Sequence, residues 1–350
     1  MVAAMSGGVD SSMAAALLKK KGYEVIGLTM RLSASEGRCC SDKDMVDARR
    51  VAKLLGIPHY VVEVHVPFKE KVVDYFVEEY QLGRTPNPCA VCNPEIKFGV
   101  LWERARSLGA ASLATGNYAV IRRHPETGKF LLMRGRDKGK DQSYFLARLS
   151  RDALGRTLFP VGPYPKPKIR LLAEQMGLPV ASKSESQEAC FVPEAGVAPF
   201  IESERGRPGE PGPMIDESGR ELGVHKGLFA YTIGQRKGLG IALGKPAYVV
   251  RIDADKNAIV IGGEDALYHR VFIATKPNWI SVENPPGAFR AGIQIRYRHR
   301  PAQGLVTPKE NGGLEIAFDR PQRAITPGQL AVFYDKETVI GSAWIDRVLE

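Results

Sequence analysis

Met5-Ser6-Gly7-Gly8-Val9-Asp10-Ser11-Ser12 lies a few residues into the chain, and its reading decides the fold. The apolar run before it, Val2 to Met5, reads as the end of a buried strand. Met13-Ala14-Ala15-Ala16-Leu17-Leu18 behind it opens a helix. Between them Ser6, Gly7 and Gly8 make a tight turn, where glycine lets the backbone adopt barred conformations and approach a ligand closely. Such a turn gathers backbone N–H groups and the positive end of a helix dipole at one point. Ser6, Ser11 and Ser12 add hydroxyl donors there, so the stretch predicts a site for a phosphate chain. The plain alternative is a strand–turn–helix with a Ser/Asp N-cap.

A Walker A loop is excluded, because it needs Gly-Lys followed by Ser or Thr. The pairs Gly128-Lys129, Gly139-Lys140 and Gly244-Lys245 all lack that residue. Gly238-Leu239-Gly240 does not stand in a dinucleotide-binding setting either. The Ser6–Ser12 string resembles the PP-loop of ATP pyrophosphatases, which cleave ATP between its α and β phosphates to adenylate a substrate. That resemblance implies a loop that holds pyrophosphate, with Asp10 helping to manage Mg²⁺ and phosphate charge.

Working outward, Tyr23 to Met30 reads as a second buried strand and Tyr60 to Val64 as a third. Between them Ser41 with Asp44 is a capping-box start for a helix whose Ala48, Val51, Ala52 and Leu55 share one face. Glu95 to Leu108 predicts another helix, Ser112 to Thr115 a strand with Gly116 just past its carboxyl end, and Lys168 to Met176 a further helix. Strands alternating with amphipathic helices predict an α/β domain with a doubly wound parallel sheet, ligands binding at the carboxyl ends of its strands. Near Glu204 the composition shifts to Arg205-Gly206-Arg207-Pro208-Gly209, and helical periodicity ends. Short strands follow, with turn signals at Asp255-Lys256-Asn257 and Asn311-Gly312. Gly292 to Arg300 alternates, placing Arg296, Arg298 and Arg300 on one face of an expected strand. The expected domains are therefore 1–203 (parallel sheet), 204–270 (small, antiparallel, mostly β) and 271–350 (antiparallel β-barrel). The strand feeding the first loop is short, so part of an N-terminal run is expected to be absent.

The chain has 350 residues and a formal charge of +10, which favours a polyanionic partner such as RNA. No apolar run reaches the roughly 18 residues of a membrane span. Five cysteines, an odd number in a long chain, argue against a secreted disulfide framework and place the protein in the cytosol. Cys89-Ala90-Val91-Cys92 lies in a Pro/Asn-rich loop expected just before a helix, where thiolates are stabilised. Cys190 lies in Ser186-Gln187-Glu188-Ala189-Cys190-Phe191. A zinc half-site is the competing reading for the C-x-x-C pair, and Cys39-Cys40 would complete it poorly because adjacent cysteines chelate badly. A nucleotide loop with distant reactive cysteines points to sulfur transfer: ATP turns an oxygen into a leaving group, and a persulfide supplies sulfur released by a second thiolate.

In order along the chain stand Ser6–Ser12, Asn87-Pro88-Cys89-x-x-Cys92-Asn93, Ala114-Thr115-Gly116, Lys140-Asp141-Gln142-Ser143-Tyr144-Phe145-Leu146 and Ser186-Gln187-Glu188-x-Cys190-Phe191. Thr232-Ile233-Gly234-Gln235-Arg236-Lys237-Gly238-Leu239, Arg296-Tyr297-Arg298 and Pro327-Gly328-Gln329 follow. This set resembles the tRNA-specific 2-thiouridylases over nearly the whole chain. The resemblance implies ATP-dependent adenylation of the C2 oxygen of the wobble uridine in tRNAs for Lys, Glu and Gln, then sulfur transfer from a cysteine persulfide. Cys190 would carry the persulfide and Cys92 would be the partner nucleophile, the two joining in a disulfide as sulfur leaves. Ala4, Met5, Ser6, Gly7, Gly8, Val9, Asp10, Ser11, Met30 and Gly116 would bind ATP with Mg²⁺. Asn87, Pro88 and Cys89 would meet the target base, and Asn117, Lys140, Asp141, Gln142, Arg296, Tyr297 and Gln329 the tRNA. The basic loop Arg134 to Lys140 suits phosphates, and Tyr297 suits stacking. A sulfur-donor protein, such as a cysteine desulfurase or relay, would be a partner, and a monomer is expected.

Two departures matter. Asn117 stands where the family often has His, and Cys89 where some members have Asp. Cys89, Cys92 and Cys190 together raise a three-cysteine [4Fe–4S] alternative. Other readings are a different PP-loop adenylating ligase or amidotransferase, and an RNA-binding protein without catalysis.

Overall fold

A computed structural model describes residues 1–32, 42–184, 189–241, 244–285 and 287–349. Ser41, Cys39 and Cys40, named above, and the 185–188 part of the Cys190 motif lie outside the described residues. The first strand β1 (Val2–Ala4) enters helix α1 (Val9–Lys20) through the glycine turn. Strand β2 (Ile26–Arg31), helix α2 (Asp42–Leu55) and strand β3 (His59–Glu63) follow. Helical turns α3 (His65–Phe68), a π-type turn Lys69–Val73 and α4 (Asp74–Gln81) lead to the cysteine stretch.

That stretch corrects one expectation. Pro88–Cys92 is itself helical (α5) and runs on through a π-type segment, Asn93–Val100, into α6 (Leu101–Ser107). The Asn87 side chain accepts the Ala90 N–H at 3.2 Å, and Pro88 follows at the first helical position. Asn then Pro is a helix start, not a loop, because Pro lacks only an N–H that a helix does not use there.

Strand β4 (Leu113–Ala114), the hairpin β5 (Ala119–Arg123) and β6 (Phe130–Arg134), and short helices α7 (Ser143–Leu146) and α8 (Arg151–Gly155) come next. Strand β7 (Thr157–Leu158) and helices α9 (Lys166–Gln175) and α10 (Val197–Arg205) complete this half. The parallel sheet has the order β3-β2-β1-β4-β7, with β1 at its centre. Val2 and Ala3 are fully buried, so successive side chains on opposite faces are both covered. Most of α1 is buried, its alanines letting it lie close against the sheet, α2 and α9, while Lys19 and Lys20 at its end are exposed. The small apolar middle of the helix, Met13 to Leu18, suits such a sandwiched place.

The second sheet, order β10-β11-β8-β9, contains β8 (Gly212–Asp216), β9 (Glu221–His225), β10 (Tyr248–Asp253) and β11 (Ala258–Gly262). It is not purely antiparallel as expected, since β8 and β11 pair parallel. The long stretch between β9 and β10 allows β11 to return beside β8 in that sense. Strands β12 (Tyr268–Trp279), β13 (Phe289–Gln294), β14 (Ala302–Pro308), β15 (Leu314–Arg323), β16 (Leu330–Asp335) and β17 (Thr338–Leu349) form an antiparallel barrel closed by β12–β17 pairing. Helix α10 runs across the first expected domain boundary and β12 across the second.

The expected arginine-striped strand is also corrected. β13 stops at Gln294, and Arg296 to Arg298 form a turn. Gln294 causes the stop: its Nε2 donates to the carbonyls of Arg296 (3.1 Å) and Tyr297 (2.6 Å), curling the chain. The alternation is real, but Ala291, Ile293 and Ile295 fill the barrel while Gln294 on the other face accepts from Arg134 of β6. The barrel docks closely on the parallel sheet: Val2, Leu28 and Leu113 share one core with Leu330, Val332, Tyr334 and Val339. No helix among the described residues is long and apolar enough to cross a membrane.

Candidate active site

The phosphate-type loop takes the form the glycines require. Gly7 has φ +71° and packs against α2, where a Cβ would stand 2.2 Å from the Asp44 carbonyl oxygen. Gly8 caps α1 with no side-chain acceptor, so the helix's first N–H groups are left for a ligand. Ser11 Oγ accepts the Ser6 N–H at 3.1 Å and donates to the Gly8 carbonyl, closing the turn on itself. Ser12 Oγ is buried with no hydrogen-bond partner. A buried hydroxyl without a partner is costly unless a ligand completes it. Gly116 closes the opposite wall: a Cβ there would lie 2.5 Å from Ser11 N. Together these features fit a phosphate chain. Ala4 and Met5 lie at the end of β1, and Met30 near the end of β2, on the same rim.

Two lysines that the sequence reading did not single out serve this loop. Lys166, at the start of α9, donates to both Asp10 carboxylate oxygens at 2.8 and 2.7 Å, and Tyr118 adds an O–H to Oδ1 at 2.7 Å. Lys166 and Tyr118 are buried. Lysine at a helix N-terminus opposes the dipole, so Pro165-Lys166-Pro167-Lys168 carried a signal that the lysine had a tertiary partner. Lys183 donates to the Gly7 carbonyl (3.0 Å), Asp44 (2.7 Å) and Asp47 (2.6 Å). Burial pulls its pKa down, but hydrogen bonds to Asp44 and Asp47 outweigh that and raise it, so it is charged. Beneath the loop, Thr29 donates to the Met5 carbonyl and accepts from His59 Nε2 at 2.8 Å. Burial and then Arg49 hold His59 below its ordinary pKa, keeping the ring neutral.

Cys92 is buried, Cys190 half-buried and Cys89 exposed. Cys92 packs in an apolar cluster with Leu32, Phe68, Val72 and Ile96, against which Cys190, Phe191 and Met30 also pack. Two cysteines far apart in sequence thus meet one cluster that reaches the nucleotide rim. Among the described residues no group of three His, Cys, Asp or Glu side chains could hold a metal. An exposed Cys89 on the same short helix as a Cys92 turned into apolar packing does not fit a three-cysteine cluster site.

The residues expected at the base and the tRNA converge, though several are bonded within the chain. Asn87 is buried at the start of α5. Gln329 donates to the carbonyls of Thr85 (2.9 Å) and Pro86 (3.2 Å), and the Thr85 N–H donates to the Pro327 carbonyl, so a barrel turn braces the Asn87 loop. Tyr297 packs tilted against Phe145, ring centroids 4.4 Å apart and planes 36° apart, and Phe145 lies edge-on to Tyr144. Arg296 donates to the Arg323 carbonyl at 2.9 Å, with burial and then Arg323 lowering its pKa. Asn117 donates to Gln142 Oε1, which also accepts the Tyr118 N–H. Asp141 is buried and accepts the Gly135 and Ser143 N–H groups and the Ser143 hydroxyl, so its carboxylate shapes the basic loop. Lys140 is half-exposed on that loop.

Three family models match the chain in succession: a tRNA methyl transferase HUP domain over residues 1–194, a tRNA methyl transferase PRC-barrel domain over 200–263, and an aminomethyltransferase β-barrel domain over 269–345. The chain is similar to the tRNA-specific 2-thiouridylase MnmA of Geotalea uraniireducens, 49% identical over 359 aligned positions that cover 100% of this chain and 95% of that one. It is equally similar to the tRNA-specific 2-thiouridylase MnmA of Moorella thermoacetica, 49% identical and covering 99% of each chain. Among solved structures, a 4-thiouridine synthetase–RNA complex with bound ATP matches with a TM-score of 0.35 and 16% identity, over 54% of this chain and 43% of that one.

Proposed function

The chain belongs to the tRNA-specific 2-thiouridylase family, and we propose that it converts the wobble uridine of tRNAs for Lys, Glu and Gln to 2-thiouridine. The observation that carries this reading is the packing of Cys92 and Cys190 on one apolar cluster shared with Met30 at the nucleotide rim. The uridine C2 oxygen attacks the α-phosphate of ATP, and pyrophosphate leaves. The terminal sulfur of a Cys190 persulfide then adds at C2. Attack by the Cys92 thiolate on the inner sulfur breaks the S–S bond, leaving a Cys92–Cys190 disulfide and passing sulfur to the base as AMP departs. An external thiol reductant restores both cysteines, and a persulfide-bearing donor protein reloads Cys190.

Ala4 to Ser11, Met30 and Gly116 serve the nucleotide in this proposal, and Asp10 would have to part from Lys166 to hold a Mg²⁺ that accompanies it. Asn87, Pro88 and Cys89 face the base, which must leave its stack. Lys140 and the Arg296-Tyr297 turn serve the tRNA directly, and Asn117, Asp141, Gln142 and Gln329 shape the surfaces that do so. A three-domain division with its boundaries moved off α10 and β12, a monomeric state and a cytoplasmic location belong to the same proposal. The test is to incubate the protein with ATP, each of the three tRNAs, and a cysteine desulfurase with cysteine, then digest the tRNA and weigh the nucleosides. 2-Thiouridine appearing only with ATP is expected; none from any of the three tRNAs overturns the reading.

A further inference from the structure

We propose that Lys183 is a positioning residue for pyrophosphate, holding the Gly7–Gly8 peptide so that its N–H faces the phosphate site. This deepens the reading above and rests on it. Lys183 Nζ donates to the Gly7 carbonyl at 3.0 Å. The Gly7–Gly8 peptide is trans, as are all described peptides, so its C=O and N–H point in opposite directions. A carbonyl drawn outward to the lysine turns the Gly8 N–H inward, beside the uncapped start of α1. A peptide flip at this glycine pair would reverse the loop's polarity, presenting an oxygen to the phosphates. Gly7, at φ +71°, is the residue type that permits such a flip.

Lys183 also answers an electrostatic problem. Asp44 and Asp47 project from the first turns of α2 behind Gly7, and Lys183 binds both, at 2.7 and 2.6 Å. Without it two carboxylates would stand beside the place where a phosphate chain docks. The lysine is itself fixed from below: Arg170 of α9 donates to the carbonyls of Ala181 (2.7 Å) and Lys183 (3.1 Å). The same helix carries Lys166, bonded to Asp10, so α9 and the strand of chain behind it hold the loop at both ends.

The test compares ATP, inorganic pyrophosphate and AMP binding to the full chain by calorimetry, for the native protein, Lys183→Met and Lys183→Gln. Lys183→Met should weaken ATP and pyrophosphate by about tenfold to a hundredfold, the loss of one charged hydrogen bond, and leave AMP within about twofold. Lys183→Gln keeps an N–H for the Gly7 carbonyl and should lose only severalfold; it is the variant to read if the Met form does not fold. Native affinity for ATP in the variants, or equal losses for all three ligands, overturns the proposal. A native protein that does not bind ATP sinks the thiolation reading itself.

Discussion

The phosphate-type loop and the composite face proposed to meet the base sit in one molecule but are built on opposite plans. The loop is eight consecutive residues, Met5 to Ser12, whose turn closes through its own Ser6–Ser11 and Ser11–Gly8 hydrogen bonds. That face is assembled from the Thr85–Asn93 stretch, the Tyr144-Phe145 pair, the Arg296-Tyr297 turn and the Pro327–Leu330 turn, joined by contacts such as Gln329 to Thr85 and Tyr144 to the Leu330 carbonyl. The contiguous site closes its turn locally and is braced from outside by Lys166 and Lys183. A composite one depends on the barrel staying docked on the parallel sheet. Damage to one should therefore leave the other working, and the sharpest test is at the chemistry. Cys190→Ser should reduce thiolation by at least about a thousandfold, as loss of a covalent nucleophile does, with ATP affinity within about twofold. Single-turnover assays would check this; a residual rate above a tenth would place the sulfur path elsewhere.

The next largest effect should come from the loop's tertiary brace. Lys166 is buried and bonded to both oxygens of a partly exposed Asp10. Lys166→Met would leave Asp10 uncompensated, and breaking such a pair costs several kcal/mol when both ends are buried; Asp10's exposure reduces this to about 2 kcal/mol. Urea unfolding measures it, and the double variant with Asp10→Asn should recover most of the loss. If the double variant is as unstable as the single, the lysine's role is packing and not charge.

The difference in plan also explains what could be read from the sequence. The loop was legible because turn, glycines and helix start are contiguous, and the parallel sheet because strand–helix alternation is a local pattern. The lysines at the loop were not, since Lys166 and Lys183 reach it only through the placing of α9 and the chain behind it. The strand expected to run on through Arg296, Arg298 and Arg300 stops early, because period-two alternation cannot say that Gln294 bonds to β6 and curls the chain. Asp141 stood in a motif suggesting a tRNA contact, whereas its carboxylate is consumed by backbone donors of its own loop. The Asn87-Pro88 start of α5 was legible in principle, but proline and asparagine were read as punctuation.

A milder test addresses the composite face. Gln329→Ala removes two hydrogen bonds that tie the barrel turn to Thr85 and Pro86. About 1 kcal/mol of bracing should be lost, a roughly fivefold drop in kcat/KM for tRNA, with the KM for ATP unchanged. An equal change in both would mean that the composite face and the loop are coupled.

The smallest expected effect is on pH, and it reaches both regions through different histidines. His59 lies under the nucleotide loop, bonded to Thr29; burial and then Arg49 lower its pKa. His299 lies beside the Arg296 turn, bonded to Gln322; burial and then Arg296 lower its pKa. For each, the unfolded chain binds a proton more readily than the folded one below the ordinary value of about 6.5. Stability contributed by the neutral ring is therefore complete above that value and is lost as the pH falls through the lowered folded pKa. Urea midpoints should be level above about pH 7 and decline below 6.5. His59→Gln and His299→Gln should each flatten part of the decline. If the regions are as separate as their construction implies, His59→Gln should alter the acid-side dependence of ATP binding alone, and His299→Gln that of tRNA binding alone. A single histidine governing both profiles would show that the barrel turn and the nucleotide loop titrate as one site.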